Sequence, residues 1–405
     1  MVTAMVLKKI YGSEKKYFSV LLYFLAFFII SAPAWSEEKK SLLSLGVSLP
    51  LTGQDSTQAV KWLHGMEAAI SVVNHEGGIH QKQLRIITID DGGDAVVRHN
   101  NLIQLTENED IFGLIAAFGY NGTKDTLRIA EKNSTLFFGS NTSMKSSGPH
   151  VKSNIFTLRP DADLEMDLLV SRFIQDTGKR RISVVYIENE KGIEYINGVR
   201  KALEKRQQEL LLAVPVSMEN PKITSAIDNI LVSSPDAIII AADLNITNDF
   251  IKEIRQNRSD INLIAVGHTD PLELSEKLMN TGLGVVISQA VPFPFYRRIP
   301  IVNAYAAAVE AFKDQDSSIE MTFPGFEAYL NLQAFIYILK QSPSLDKASF
   351  IYTAQQQFET DLGGFRFSFS KNSHTGSNQI FLTQIAPGGF VTPIRNFSEV
   401  YEYHP

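Results

Sequence analysis

The chain has 405 residues, with 38 Lys and Arg against 44 Asp and Glu, for a formal net charge of −6. That mildly acidic balance carries no electrostatic footprint for nucleic acid or anionic lipid. The chain contains no cysteine, which excludes disulfides, thiolate metal sites, a Cys nucleophile and a lipidated N-terminal cysteine.

The first 36 residues read as a removable export segment. Lys8, Lys9, Lys15 and Lys16 precede an apolar stretch over 17–30, which leads to the small-residue exit Ala32-Pro33-Ala34. This is the order of a secretory signal peptide, and the stretch is short for a membrane span. A periplasmic location is therefore expected. Behind it, short apolar runs at 44–49, 85–89, 113–117 and 135–138 predict strands. Segments 59–74, 96–107 and 123–132 between them carry apolar residues at helical spacing. The rhythm repeats with strands at 182–187, 211–216, 237–241 and 263–266 and helices over 192–205, 223–232 and 247–257. Segment 301–341 reads as strongly helical, and 362–394 as Gly- and Phe-rich hairpin material. Strand–helix alternation at this spacing predicts an α/β fold of two doubly wound parallel-sheet lobes with helices on both faces. No second apolar stretch approaches a membrane span.

Enzyme signatures are missing. The sequence contains no G-x-S-x-G, H-E-x-x-H, P-loop or G-x-G-x-x-G motif. Asp90-Asp91-Gly92-Gly93-Asp94 starts like a calcium loop, but no Glu closes the twelve-residue pattern, so a surface turn is expected. The eight histidines show no ligand spacing, and neither a metal nor a cofactor is expected.

Several ordered motifs resemble the type I periplasmic binding proteins of the leucine/isoleucine/valine-binding kind, the solute receptors of ABC importers. Pro50-Leu51-Thr52-Gly53 ends the first strand. Gly65-Met66-Glu67-Ala68-Ala69, Val73-Asn74 and Gly77-Gly78-Ile79 are similar to the family's first helix and turn. Asp90-Asp91, the run from Gly113 to Thr123, and Ser234-Pro235-Asp236-Ala237-Ile238 continue the match. Asp361-Leu362-Gly363-Gly364-Phe365-Arg366-Phe367-Ser368-Phe369-Ser370, with His374, Gly376 and Ser377, is its most specific stretch. The resemblance covers 44–395. It implies a two-lobed clamp joined by a three-strand hinge, crossing near 158–161, 290–292 and 358–362. Lobe 1 would then be 41–158 plus 291–358, and lobe 2 would be 159–290 plus 359–405. It also implies an amino acid or related small carboxylate or amide as ligand, an ABC permease in the inner membrane as partner, and a monomer. A clamp that signals to a membrane sensor protein is the alternative.

Candidate ligand contacts follow from the loops at the strand ends. Gly119-Tyr120-Asn121-Gly122-Thr123 opens a helix, where main-chain N–H groups and a hydroxyl suit a carboxylate; a simple cap at Thr123 is the plainer reading. By resemblance, Thr123 matches the serine that holds the ligand carboxylate. Ser140, Asn141 and Thr142 match the loop that grips the same group, and an ordinary polar turn fits them too. Asp243 and Asp270 are candidates for a ligand ammonium, and equally for helix caps. The family carboxylate falls at Thr269 by strict alignment, one residue from Asp270. Lys191 stands where relatives carry an aromatic; it suits a ligand acid or simply solvent. Gln58 replaces another aromatic. Glu327 and Tyr329 are expected to serve core and lobe packing.

Overall fold

The computed structural model describes residues 42–142, 151–219, 221–257, 261–266, 269–357 and 359–403. The expected export segment, Ser143, Gly267 and Phe358 lie outside them. The short apolar runs and helical stretches resolve into two large sheets with their connecting helices. The first holds β1 (Leu42–Leu49), β2 (Gln83–Asp90), β3 (Ile111–Ile115), β4 (Phe137–Phe138) and β5 (Ile155–Phe156), in the order β2-β1-β3-β4-β5 with every pairing parallel. The strand β1 is buried at every position after Leu42, as a strand covered on both faces must be. The connecting helices are α1 (Ser56–His75), α2 (Ala95–Glu107) and α3 (Tyr120–Lys132). The helix α1 buries Ala59, Trp62, Met66, Ala69 and Val73 at helical spacing.

After β5 the chain enters a second series: α4 (Ala162–Thr177), β6 (Ile182–Ile187), α5 (Glu190–Glu204), β7 (Leu212–Val216), α6 (Ile223–Val232), β8 (Ala237–Ala241), α7 (Leu244–Asn257), β9 (Asn262–Ala265), α8 (Pro271–Leu278) and β10 (Val286–Gln289). Its sheet runs β7-β6-β8-β9-β10 in parallel, and two antiparallel strands, β13 (Phe381–Ile385) and β14 (Val391–Ile394), extend it beyond β10. Both lobes thus share one parallel strand order. In each, the order reverses beside the first strand, between β1 and β3 and between β6 and β8, and such switch points open a crevice at the strands' carboxyl ends.

The segment expected as one helical stretch over 301–341 is two helices, α9 (Pro300–Phe312) and α10 (Phe323–Gln341), followed by α11 (Lys347–Gln355). The break is chemical: the Thr322 hydroxyl accepts from Gly325 N at 3.0 Å and Pro324 opens the new helix. All three helices return to the first sheet, where Tyr305, Phe326, Phe335 and Phe350 join Trp62 and Phe138 in one core. Helices α1 and α10 approach so closely that a Cβ on Gly65 would lie 1.9 Å from Gly325 O.

One boundary differs from expectation. The hairpin of β11 (Thr360–Asp361) and β12 (Arg366–Phe367) does not open the second lobe. Phe365, Phe367 and Phe369 alternate inward to the first core, with Phe369 edge-on to Phe156 at 5.3 Å. The return to the seven-stranded sheet therefore comes at 374–378 rather than 358–362. There Thr157 N donates to His374 O, Gly376 N to Thr157 O and Ser377 N to Leu158 O, at 2.9, 2.7 and 2.8 Å. The first and third crossings lie side by side, tied through their main chains. His374 stacks on Phe156 at 4.0 Å, and its Nδ1 lies 2.9 Å from the carbonyls of Lys152 and Ile155. Burial lowers its pKa below the usual imidazole value, which keeps a neutral ring in the hinge.

Candidate functional site

The loops at the two switch points face each other. Helix α3 follows β3 through Ala116, whose φ of +58° lies in the left-handed region, a strained placement for a residue with a Cβ. Helix α5 follows β6 through Asn189, whose side chain accepts from Gly192 N at 3.0 Å. A Cβ on Gly192 would fall 2.0 Å from Ile187 O, so glycine lets the helix start directly on the strand end and fixes where Lys191 stands. The two helix starts meet: Tyr120 Oη donates toward Glu190 and Glu194 at 3.4 and 3.3 Å, and Lys124 pairs with Glu190. A second bridge joins the lobes where Gln58 donates to Asp270 at 3.2 Å and to Glu273, with Lys61 3.8 Å from Asp270.

Between these bridges, three threonine hydroxyls are buried without a hydrogen-bond partner: Thr123, Thr142 and Thr269, at 0%, 2% and 1% exposure. An unsatisfied buried hydroxyl is costly and calls for an explanation. Each follows the carboxyl end of a parallel strand, namely β3, β4 and β9. Lys191 is partly buried, and its ammonium makes no hydrogen bond or ion pair with a described residue. Burial first, and then the Arg159 guanidinium, push its pKa down to about 8, against the pull of Glu165, Glu194 and Asp243.

The remaining expected contacts are engaged by the protein. Ser140 Oγ donates to Thr142 O at 2.7 Å, and Asn141 Oδ1 accepts from Gly119 N at 2.8 Å. Asn141 therefore braces the two loops against each other, while Ser140 ties its own loop. Asp243 caps α7 through Ile246 N at 3.0 Å, and Asp270 caps α8 through Leu272 N at 3.0 Å, which is the plainer of the readings offered for each. Asn121 is exposed. Glu327 forms a two-pronged ion pair with Arg159 at 2.8 and 2.7 Å, in the packing role expected of it. Burial alone would lower the Arg159 pKa, but Glu327 reverses that and raises it. Asp90 gathers Leu51 N, Thr52 N, Thr52 Oγ1 and Gly92 N, and Asp94 caps α2. These acids order a turn, and among the described residues no cluster of His, Asp or Glu suits a metal. A cavity of about 1000 Å³ is lined by residues of α4 and of the third crossing, including Asp161, Gln357 and Ser377; none of the candidate contacts borders it.

Sequence reading left Thr269 without a role of its own and did not foresee the Arg159–Glu327 pair. A threonine directly before an Asp-Pro helix start is the only local signal for the first, and nothing local signals the second.

Lys191 makes a stability prediction. Its folded pKa of about 8 lies below the 10.5 of an exposed lysine, so between these values the unfolded chain binds more protons. Stability of the wild type must rise with pH through that window. Lys191→Met removes the penalty and should stabilise the free protein by about 1–3 kcal/mol near neutral pH. The gain should fade as pH climbs from 8 to 10.5. Denaturant melts of both proteins across that range check it; a constant difference would mean that Lys191 carries no buried-charge penalty.

Two α/β lobes of shared strand order, crossed three times and meeting at their switch points around buried donors, define a clamp for a small solute. Residues 43–389 match the family model described as periplasmic binding protein. The chain belongs to that family, one of solute-binding receptors rather than catalysts, whose members are typically periplasmic. Its fold is similar to a possible leucine/isoleucine/valine-binding protein from Rhodopirellula baltica SH 1, with TM-score 0.77, 19% identity, and coverage of 90% of this chain and 98% of that one. It is also similar to a substrate-binding periplasmic protein from Ralstonia solanacearum, with TM-score 0.75, 20% identity, and coverage of 87% and 100%. A fatty acid ABC transporter substrate-binding protein from Thermomonospora curvata matches with TM-score 0.74, 15% identity, and coverage of 90% and 95%. No curated sequence is significantly similar to the chain.

Proposed function

We propose that the protein is an exported solute receptor that takes a small carboxylate-bearing compound into the cleft between its lobes. It then presents the closed clamp to an ABC permease. The observation that carries this reading is the pair of buried, unpartnered hydroxyls on Thr123 and Thr142, beside the first turn of α3. Helix N-termini favour anions through their free N–H groups and dipole, and two hydroxyl donors complete a carboxylate cradle. Similarity to a possible branched-chain amino-acid receptor and to a fatty acid receptor supports a ligand with a carboxylate head while leaving its tail open. Closure follows from the ligand's contacts to both lobes, since only differential contacts move such an equilibrium.

The test is ligand-induced stabilisation of protein refolded once to strip carried-over solute, screened against amino acids, amides and small carboxylates. A ligand at one hundred times its dissociation constant stabilises the fold by about 2.7 kcal/mol. Thr123→Val with Thr142→Val should lower affinity for the hit by roughly 10- to 100-fold, from the loss of two hydrogen bonds to a charged group, with the melt of the free protein kept cooperative. Unchanged affinity in a folded double variant would remove both hydroxyls from the site.

A further inference from the structure

We propose that the two lobes latch to each other through their own rims, so that in the solute-stripped protein the closed form already outnumbers the open one. The latch is a row of donors on the first lobe meeting a row of carboxylates on the second. It rests on the receptor reading above and concerns how that clamp is set before it binds.

The observation is the sorting of charge across the cleft. Four side chains of the first lobe reach over it, Gln58 and Lys61 from α1 and Tyr120 and Lys124 from α3. Each carries a donor, and every partner on the second lobe is an acid: Asp270 and Glu273 at the start of α8, Glu190 and Glu194 at the start of α5. Both bridges therefore have the same polarity, and closing brings opposite charges together at each. All the partners are side chains of this chain, so neither bridge needs a solute to complete it.

The bridges differ in kind. The side chains of Lys124 and Glu190 are 53% and 63% exposed, where an isolated ion pair contributes little. Tyr120 beside them is half-buried and adds hydrogen bonds at 3.4 and 3.3 Å. The second bridge is drier, with side-chain exposures of 20% for Lys61 and 5% for Asp270. Asp270 is also fixed in place by its cap to Leu272 N at 3.0 Å, so closure spends little entropy ordering it. These contacts exist only while the rims touch, and an interaction made in one of two states shifts the equilibrium toward that state. A solute that needs the closed form then binds more tightly, because its apparent affinity scales with the fraction of protein already competent.

The test is the distance between the lobes in protein refolded once to strip carried-over solute. The chain has no cysteine, so Val96→Cys on α2 with Met218→Cys after β7 takes two spin labels and no others. Both are exposed positions just beyond the carboxyl ends of strands on opposite lobes. Pulsed EPR should give the shorter, closed distance as the major population. Lys124→Glu sets like charges at the first bridge and should lower the closed-to-open ratio by roughly tenfold or more. Adding Glu190→Lys restores the pair with its signs exchanged and should return the ratio to within roughly threefold of the wild type. Lys61→Met should act in the same direction as Lys124→Glu. So should salt raised from about 0.1 M to about 1 M, where the Debye length falls from about 10 Å to about 3 Å. A wild type that rests open overturns the latch and leaves the receptor reading standing, since closure then waits for solute. A closed wild type whose ratio ignores both Lys124→Glu and Lys61→Met overturns it too, because the bridges would then follow closure rather than hold it. A charge-exchanged pair as open as Lys124→Glu alone does the same. The receptor reading fails separately, by silence of the solute screen, whatever the distances show.

Discussion

Glu327→Gln should lower stability by about 3–5 kcal/mol, a fall in Tm of roughly 4–8 °C for a chain of this size. The reason is the position of its partner. Arg159 stands at the first crossing between the lobes, and both side chains are almost fully buried, 4% and 9% exposed. Two parallel N–H donors meet two carboxylate oxygens, the strongest geometry such a pair adopts. Glutamine keeps the shape and removes the charge, so the guanidinium loses its two-pronged counter-ion in a low-dielectric setting, and the weaker pull of Glu165 does not replace it. The double replacement Arg159→Met with Glu327→Leu should recover most of the loss, because an apolar pair of similar volume needs no desolvation. Thermal and denaturant melts of the two variants beside the wild type check this. A loss below about 1 kcal/mol in Glu327→Gln would mean that the pair behaves like a surface ion pair.

Gly65→Ala should cost about 3 kcal/mol or more, against the sign that local preference alone would give. Alanine favours a helix over glycine by about 1 kcal/mol, and Gly65 lies inside α1. The added Cβ would, however, meet Gly325 O at 1.9 Å and Gly325 C at 2.6 Å. Main chain cannot swing aside as a side-chain tip can, so α1 and α10 would have to separate and loosen the core around Trp62 and Phe326. Gly122→Ala is the control. It too is a helical glycine, but its nearest neighbour would be Arg98 Cδ at 3.6 Å, and the substitution should leave the melt unchanged or raise it slightly. Equal melts for the two variants would show that helix separation is not what Gly65 prevents.

Much of the architecture is legible in the sequence because periodicity is a local property. The alternation of short apolar runs with helical spacing marks both sheets, and the ordered motifs from Pro50 to Phe369 indicate the family. Other elements escape, β5, α4 and α11 among them, and three cases show the physical reasons. The strand β10 is four residues ending in polar Ser288 and Gln289, buried only because β9 and β13 flank it. The break between α9 and α10 hides inside a stretch whose apolar spacing never lapses; the Thr322 cap and Pro324 are its only punctuation. The hairpin at 360–367 carries inward phenylalanines that fit either lobe, and only packing decides which.

The site is less legible than the fold. Glu188-Asn189-Glu190-Lys191 reads as a solvated charge run, and nothing in it shows that Lys191 is drawn inward while Glu190 stays at the rim. Arg159 and Glu327 are 168 residues apart. Thr123 and Thr142 were readable as donors at helix and strand ends, whereas their lack of any protein partner is a property of the folded chain alone. The caps made by Asp243 and Asp270 show the opposite case, in which an acid at a helix start does what its local sequence says.

The paired crossings carry a mechanical meaning. Thr157 and Leu158 are laced to 374–377 by main-chain hydrogen bonds, with the His374 ring stacked flat on Phe156 beneath them. Two plies joined in this way act as a leaf spring: they flex across their broad face and resist sliding past one another. Bending of the lobes across that face should therefore be softer than sliding of one crossing past the other.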